Sequence, residues 1–138
     1  MKSTGYDNIY GCDVFFRERE DLYHKDKEGK EKYALWLDKQ LRFLDTMGLE
    51  VLSQRPKVFE KLSGCENLFS IRWREFRGNP RVLFFAVIED DGQETFVLLT
   101  AFKELNAGDY KRAISVAENR RKQVLRDFYE EDDNNELS

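Results

Sequence analysis

Histidine is almost missing from this chain: His24 is the only one, set in the charged run HKDKEGKEK. That argues against a serine–histidine triad, two-histidine ribonuclease chemistry and a histidine-rich zinc site. Cysteine is nearly as scarce. Cys12 and Cys65 match no metal-ligand spacing, so two reduced thiols are expected. Two Pro and eight Gly stand against eleven Phe, six Tyr and two Trp, which excludes wholesale disorder and collagen-like repetition. No apolar run approaches the roughly 20 residues of a membrane helix, and the opening MKSTGYDNIYGCD lacks the apolar stretch of a signal peptide. One soluble, cytoplasmic domain is expected. Its 138 residues can bury a core without metal or disulfide staples.

Charge is unevenly spread. Residues 1–67 carry 12 basic and 13 acidic groups, residues 68–126 carry 11 and 8, and residues 127–138 carry six acids and no base. The net −4 therefore belongs to the tail, and the body before it is slightly positive. A single domain over 1–128 followed by an acidic, disordered tail over 129–138 is expected. Overall acidity is then no argument against a nucleic-acid partner.

The hydrophobic pattern changes period along the chain. Asp13–Arg17 (DVFFR) reads as a short aromatic strand, and the charged stretch Glu18–Lys32 as a loop or helix start. From Lys30 to Met47, Tyr33, Trp36, Leu37, Leu41, Leu44 and Met47 recur at helical spacing, with Gly48 as the stop. Leu49–Gln54 suits a short helix, and Lys57–Leu62 a turn leading to Gly64. LFSIRWREF then alternates, placing Ile71 and Trp73 on one side of a strand and Ser70, Arg72 and Arg74 on the other. Arg81–Glu89 is nearly all apolar, as a central strand covered on both faces would be. DDGQ closes a hairpin onto Thr95–Lys103, and Asp109 is placed to cap a helix running to about Phe128. The order β-α-α-β-β-β-α implies an α+β fold, a small and mostly antiparallel sheet with helices packed on one side.

Cations gather at the strand ends. Arg72 and Arg74 share a face, Arg77 and Arg81 flank the RGNP turn, Lys103 ends the last strand, and Tyr110 and Lys111 open the last helix. Guanidinium forks suit phosphate, yet arginines on the polar face of a sheet are equally at home in solvent. By parity with Ile71, Trp73 belongs to the core, and the Tyr110 ring can simply pack under the helix start. The acids Glu89, Asp90, Asp91 and Glu94 read as solvated turn residues, so no metal site is expected.

The aromatic first segment, the central helix, LFSIRWREFRGNPRVLFF, the strand ending in Phe102-Lys103 and the last helix with AENRRKQVL together resemble the RelE/ParE toxin superfamily. Within it the chain is most similar to the HigB-like, phage-derived branch, from about Val14 to Phe128. The resemblance implies a toxin of a type II toxin–antitoxin system, held by an antitoxin with a helix-turn-helix region. It implies ribosome-dependent cleavage of mRNA by attack of the ribose 2′-hydroxyl, with no metal or cofactor. Carried over residue by residue, Arg72, Arg81, Lys103 and Tyr110 become the catalytic set, with Arg74 orienting phosphate; Arg77 and Lys111, from the cation cluster at the strand ends, are expected to hold phosphate as well. Glu75 or Glu104 would accept the proton. This chain departs from the branch at Glu104, where a second cation is usual, and in lacking site histidines. Two alternatives stay open: a ParE-like inhibitor of DNA gyrase, and a decayed binding module that keeps only antitoxin or nucleic-acid contacts.

Overall fold

The computed structural model describes residues 1–137, with side chains as far as Glu130. Two short strands, β1 (Lys2–Ser3) and β2 (Ile9–Gly11), lead into helices α1 (Asp13–Asp21) and α2 (Lys27–Met47). A 3-10 turn (Gly48–Glu50) and the single-turn α3 (Val51–Gln54) follow. Then come β3 (Phe59–Lys61), β4 (Phe69–Arg72), β5 (Pro80–Ile88), β6 (Glu94–Lys103) and α4 (Ala107–Leu137). The six strands form one sheet in the order β1-β2-β6-β5-β4-β3. Only β2 and β6 run parallel. The fold is α+β, and its sheet is mostly antiparallel.

The segment Asp13–Arg17 is not a strand but the start of α1. Phe15, entirely buried, and half-buried Leu22 lie two turns apart, while the Arg19 guanidinium covers the Phe15 and Phe16 rings at 6.0 and 5.3 Å. Helical spacing outweighs the local β propensity of two adjacent phenylalanines. The strand sits just upstream at Ile9–Gly11. A Cβ on Gly11 would come within 2.9 Å of the Phe16 ring, so a glycine lets the helix fold back on its own strand.

Helix α2 begins one turn earlier than expected, because the Asp26 carboxylate accepts the Gly29 N–H at 2.9 Å. Tyr33, Leu37, Leu41 and Leu44 form its buried stripe, and Gly48, at φ +62°, ends it. The expected short helix at Leu49–Gln54 is split between the 3-10 turn and α3, and the expected turn at Lys57–Leu62 contains β3.

Strand β5 is buried from Pro80 to Ala86 and divides the core in two. Val82, Phe84 and Ala86 pack with Phe96, Leu98 and Ala101 of β6 under α1 and α2. Leu83 and Phe85 pack with Val97 and Leu99 against Ala113 and Ala117 of α4. Helices therefore cover both faces of the sheet, which corrects the expectation of one covered side. The continuous apolar run of β5 demands it: helices on one face alone would leave Leu83 and Phe85 in water, at about 1.5–3 kcal/mol each.

Beyond Leu98 the short β2 no longer covers the edge of β6. There Glu18 of α1 reaches the edge, accepting hydrogen bonds from the Thr100 hydroxyl (3.0 Å), the Ala101 N–H (3.3 Å) and Arg120 Nη1 of α4 (2.6 Å). This clasp ties the helices of opposite faces together and closes a strand edge that would otherwise be open to pairing.

Helix α4 starts at Ala107, two residues before the expected capping Asp109. The cap is Asn106, whose side-chain oxygen accepts the Asp109 N–H at 3.1 Å, while the Asp109 carboxylate accepts the Leu105 and Asn106 N–H groups at 2.9 and 3.0 Å. The exchange is a capping box with Asp109 in its third position. These bonds, led by the one from Leu105, hold the Asp109 carboxyl below the usual range. The α4 backbone is helical to Leu137; the expected acidic tail at 129–138 falls largely on side chains outside those described. Cys12 is buried and Cys65 half-buried, both as free thiols, and burial raises the Cys12 thiol above its ordinary range. Among the described residues no helix is long and apolar enough to cross a membrane.

Candidate functional site

The candidate site lies where β4 ends and β5 begins. Arg72 and Arg81 are register neighbours on these strands, on the same face as Leu83, Phe102 and α4. Both are only 8% exposed. A guanidinium cannot shed its charge, so burying two side by side requires acids within reach. Glu60 of β3 supplies one. Its carboxylate pairs with Arg72 Nη1 through one oxygen and lies 3.2 Å from Arg81 Nη1 through the other. Arg72 also donates to the carbonyls of Lys57 and Pro56, at 3.4 and 3.3 Å.

Glu104 approaches from the end of β6. Its Oε2 lies 2.5 Å from Arg81 Nε, yet off the N–H direction, so the contact is ionic and that N–H has no hydrogen-bond partner among the described residues. The Asn79 side-chain amide donates to the same oxygen at 3.3 Å. The capping box of α4 sets Tyr110 in the first turn, with its ring 4.9 Å from the Arg81 guanidinium and 6.4 Å from the Phe102 ring. Burial, then the neighbouring Glu60 charge, raises the Tyr110 hydroxyl above its ordinary value, with Arg81 opposing. The phenol stays protonated at neutral pH.

Three of the four expected catalytic residues, Arg72, Arg81 and Tyr110, thus come together from β4, β5 and α4. Lys103 does not join them. It pairs with Pro80, one residue before Arg81, and so faces the other side of the sheet, where its ammonium sits 4.2 Å from the Tyr23 ring centroid. Arg77 is also on that side, bound to Asp26 at 2.6 Å, while the Tyr23 hydroxyl donates to the Arg77 carbonyl at 2.6 Å. Arg74 and Glu75 lie exposed in the turn after β4, which ends at Arg72, so Arg74 does not share a strand face with Arg72. Lys111 is exposed on α4 beside Tyr110.

Trp73 is half-buried, but its neighbours explain its role. It is sandwiched between Trp36 (4.9 Å, 11°) and Phe76 (4.1 Å, 9°), with Tyr33 beyond Trp36. Both indole faces are taken, so this ladder fastens the β4–β5 turn to α2. Sequence reasoning missed Glu60. Its segment, FEK, is too short to read as a strand, and only the register of β3 on β4 sets it diagonal to Arg72. Glu104, by contrast, was legible as an acid in a cationic position.

The cluster offers phosphate two preorganised guanidiniums and a protonated phenol. It also holds two carboxylates that an incoming phosphate must displace or outcompete. Among the described residues no group of three or more His, Cys, Asp or Glu is placed to hold a metal ion. The chain matches no family model, no curated protein and no solved structure.

Proposed function

We propose that this chain is a RelE/HigB-like toxin domain, a metal-independent endoribonuclease that cuts mRNA on the ribosome and is held in check by a helix-turn-helix antitoxin. The observation that carries the reading is the convergence of Arg72, Arg81 and Tyr110, from three separate elements, at one end of the sheet. In this reading the scissile phosphate takes the place of Glu104 beside Arg81, the less embraced of the two carboxylates. Glu60, already between both arginines, accepts the proton of the attacking 2′-hydroxyl. The 2′-oxygen bonds to phosphorus, and Arg72 and Arg81 stabilise the charge that develops on the phosphoryl oxygens. The bond from phosphorus to the 5′-oxygen breaks, and Tyr110 donates its proton to that oxygen. The products are a 2′,3′-cyclic phosphate and a 5′-hydroxyl.

A second reading has its own support. Both arginines are already neutralised by carboxylates, and Lys103 is on the opposite face. That arrangement suits a domain that has lost cleavage and keeps its partner contacts.

Mapping 5′ ends on a reporter mRNA in a translating extract separates the two. Wild type is expected to make new cuts that need active ribosomes. Arg81→Lys, which keeps the charge and loses the fork, is expected to cut at least tenfold more slowly, as is Tyr110→Phe. Glu104→Gln is expected to cut faster. Absence of cuts in both wild type and Glu104→Gln would move the assignment to the non-cleaving module, or to a gyrase inhibitor if growth still arrests.

A further inference from the structure

A second concave surface opens on the β3 side of the molecule, a cleft of about 510 Å³. Five cations line it, Lys39 of α2, Arg55 and Lys57 between α3 and β3, Arg72, and Arg74, against one carboxylate, Glu75. Outside the cleft exposed cations are mixed: Lys30 pairs with Glu20, Lys32 with Glu28, Arg42 with Asp38, Arg77 with Asp26 and Arg112 with Asp109, while Lys2, Arg17, Lys61 and Lys111 have no ion-pair partner among the described residues. What sets the cleft apart is that such cations gather in one concavity. Among the described residues Lys39, Arg55, Lys57 and Arg74 make no ion pair. In a chain with net charge −4, positive charge left uncompensated in a concavity marks a site for an anionic partner. Arg55 adds an independent sign. Its guanidinium lies over the Phe43 ring at 3.9 Å and gives one bond to buried Gln40 at 3.3 Å, but its Nε is buried with no acceptor among the described residues.

We propose that this cleft is a groove for the backbone of single-stranded RNA. The inference rests on the RNA-directed function proposed above, and it names the path by which the strand reaches the cluster. Arg72 belongs to both surfaces: it lines the cleft and shares Glu60 with Arg81. A strand whose phosphates lie against Lys39, Arg55, Lys57 and Arg74 is thereby brought to Arg72 and the cluster it shares with Arg81. The walls also determine how the groove reads RNA. Trp73 is stacked on both faces and Trp36 lies between it and Tyr33, so bases meet ring edges rather than open faces. Binding is therefore led by phosphate and indifferent to base identity.

The test is fluorescence anisotropy of short labelled uridine and adenosine oligoribonucleotides over a salt series, without ribosomes. It compares wild type, the double variant Lys39→Glu/Arg74→Glu, and Lys122→Glu on α4 as a control for charge reversal away from the cleft. Both lysines and Arg74 are exposed, and circular dichroism checks that each variant is folded. Wild type is expected to bind both RNAs alike. The double variant is expected to bind about tenfold more weakly, with a salt slope smaller by about 1.4, two phosphate contacts being lost at about 0.7 each. Lys122→Glu is expected to retain the slope of wild type. The proposal is overturned if the double variant behaves as the control does, or if wild type shows no salt-dependent binding. It is also overturned if polyglutamate displaces RNA at equal charge concentration, since the cleft would then fit an acidic protein. Retained binding without mRNA cutting would overturn the nuclease reading and leave the groove standing.

Discussion

Two groups of cations sit side by side on this protein and are treated in opposite ways. Arg72 and Arg81 are buried, and Glu60 and Glu104 hold them. Lys39, Lys57 and Arg74 are exposed and have no ion-pair partner among the described residues. The difference follows from solvation. Water stabilises an exposed ammonium or guanidinium by itself, whereas a buried guanidinium requires an acid beside it. The first group is buried and already paired with acids; the second keeps its charge available.

Removing a buried cation breaks the comparison most severely. Arg81→Met takes the counter-charge from Glu104 and leaves Glu60 with Arg72 alone. The expected loss is about 3 kcal/mol, the low end of the range for a broken buried pair, because Glu60 keeps 30% of its side chain in water. Arg74→Met in the cleft is expected to change stability by no more than about 0.5 kcal/mol. Urea titration of both variants reads the contrast directly, and equal midpoints would show that burial does not distinguish the two groups.

Alkali probes the buried and half-buried tyrosines, with Tyr110 beside Arg81 and Tyr23 beside Arg77 and Lys103 on the opposite face of the sheet. Burial pushes the Tyr23 hydroxyl up from 10.0 to about 12, with Arg77 opposing, and Tyr33 and Tyr110 are raised as well. A pKa higher in the folded state means that the fold favours the neutral phenol. This contribution is complete below pH 10 and is lost as pH rises from there toward about 12. Stability is therefore expected to fall over that window, and less steeply in Tyr23→Phe. Identical alkaline limbs for the two proteins would remove Tyr23 as the cause.

A smaller effect sharpens the contrast without unfolding anything. Glu104→Gln removes one of the two acids facing Arg81, and should strengthen binding of inorganic phosphate at the cluster by about tenfold, one unit charge being freed. Phosphate titration followed through intrinsic tryptophan or tyrosine fluorescence measures it. No gain would mean that Glu60 alone closes the cluster. The smallest expected effect belongs to Lys57→Ala, which should leave the urea midpoint unchanged within error while lowering RNA affinity about threefold.

Where one element's own residues carried the information, the sequence could be read. The helical row Tyr33, Leu37, Leu41 and Leu44 and its stop at Gly48 were legible because burial repeats at the helical period. The hairpin of β5 and β6 was legible from two apolar runs and the DDG between them. Asp13–Arg17 was misread because adjacent phenylalanines satisfy β propensity locally, and only the packing of Phe15 and Leu22 into one core selects the helix. Arg74 was misplaced because alternation was extended past Arg72, where the aromatic ladder turns the chain out of the sheet. Lys103 was grouped with Arg81 although it follows Phe102, and one residue of register reverses a face.

The sequence by itself determined a mixed α+β domain and the identity and periods of its long elements. Each of those rests on contacts between residues near in the chain or on a repeat that one element displays alone. Tertiary structure decided that helices cover both faces, that Arg72, Arg81 and Tyr110 converge while Lys103 and Arg77 lie across the sheet, that Glu60 bridges two arginines, and that five cations line an open cleft. Those facts depend on strand register and on the packing of segments remote in sequence, where a single residue's shift moves a side chain from one surface to the other.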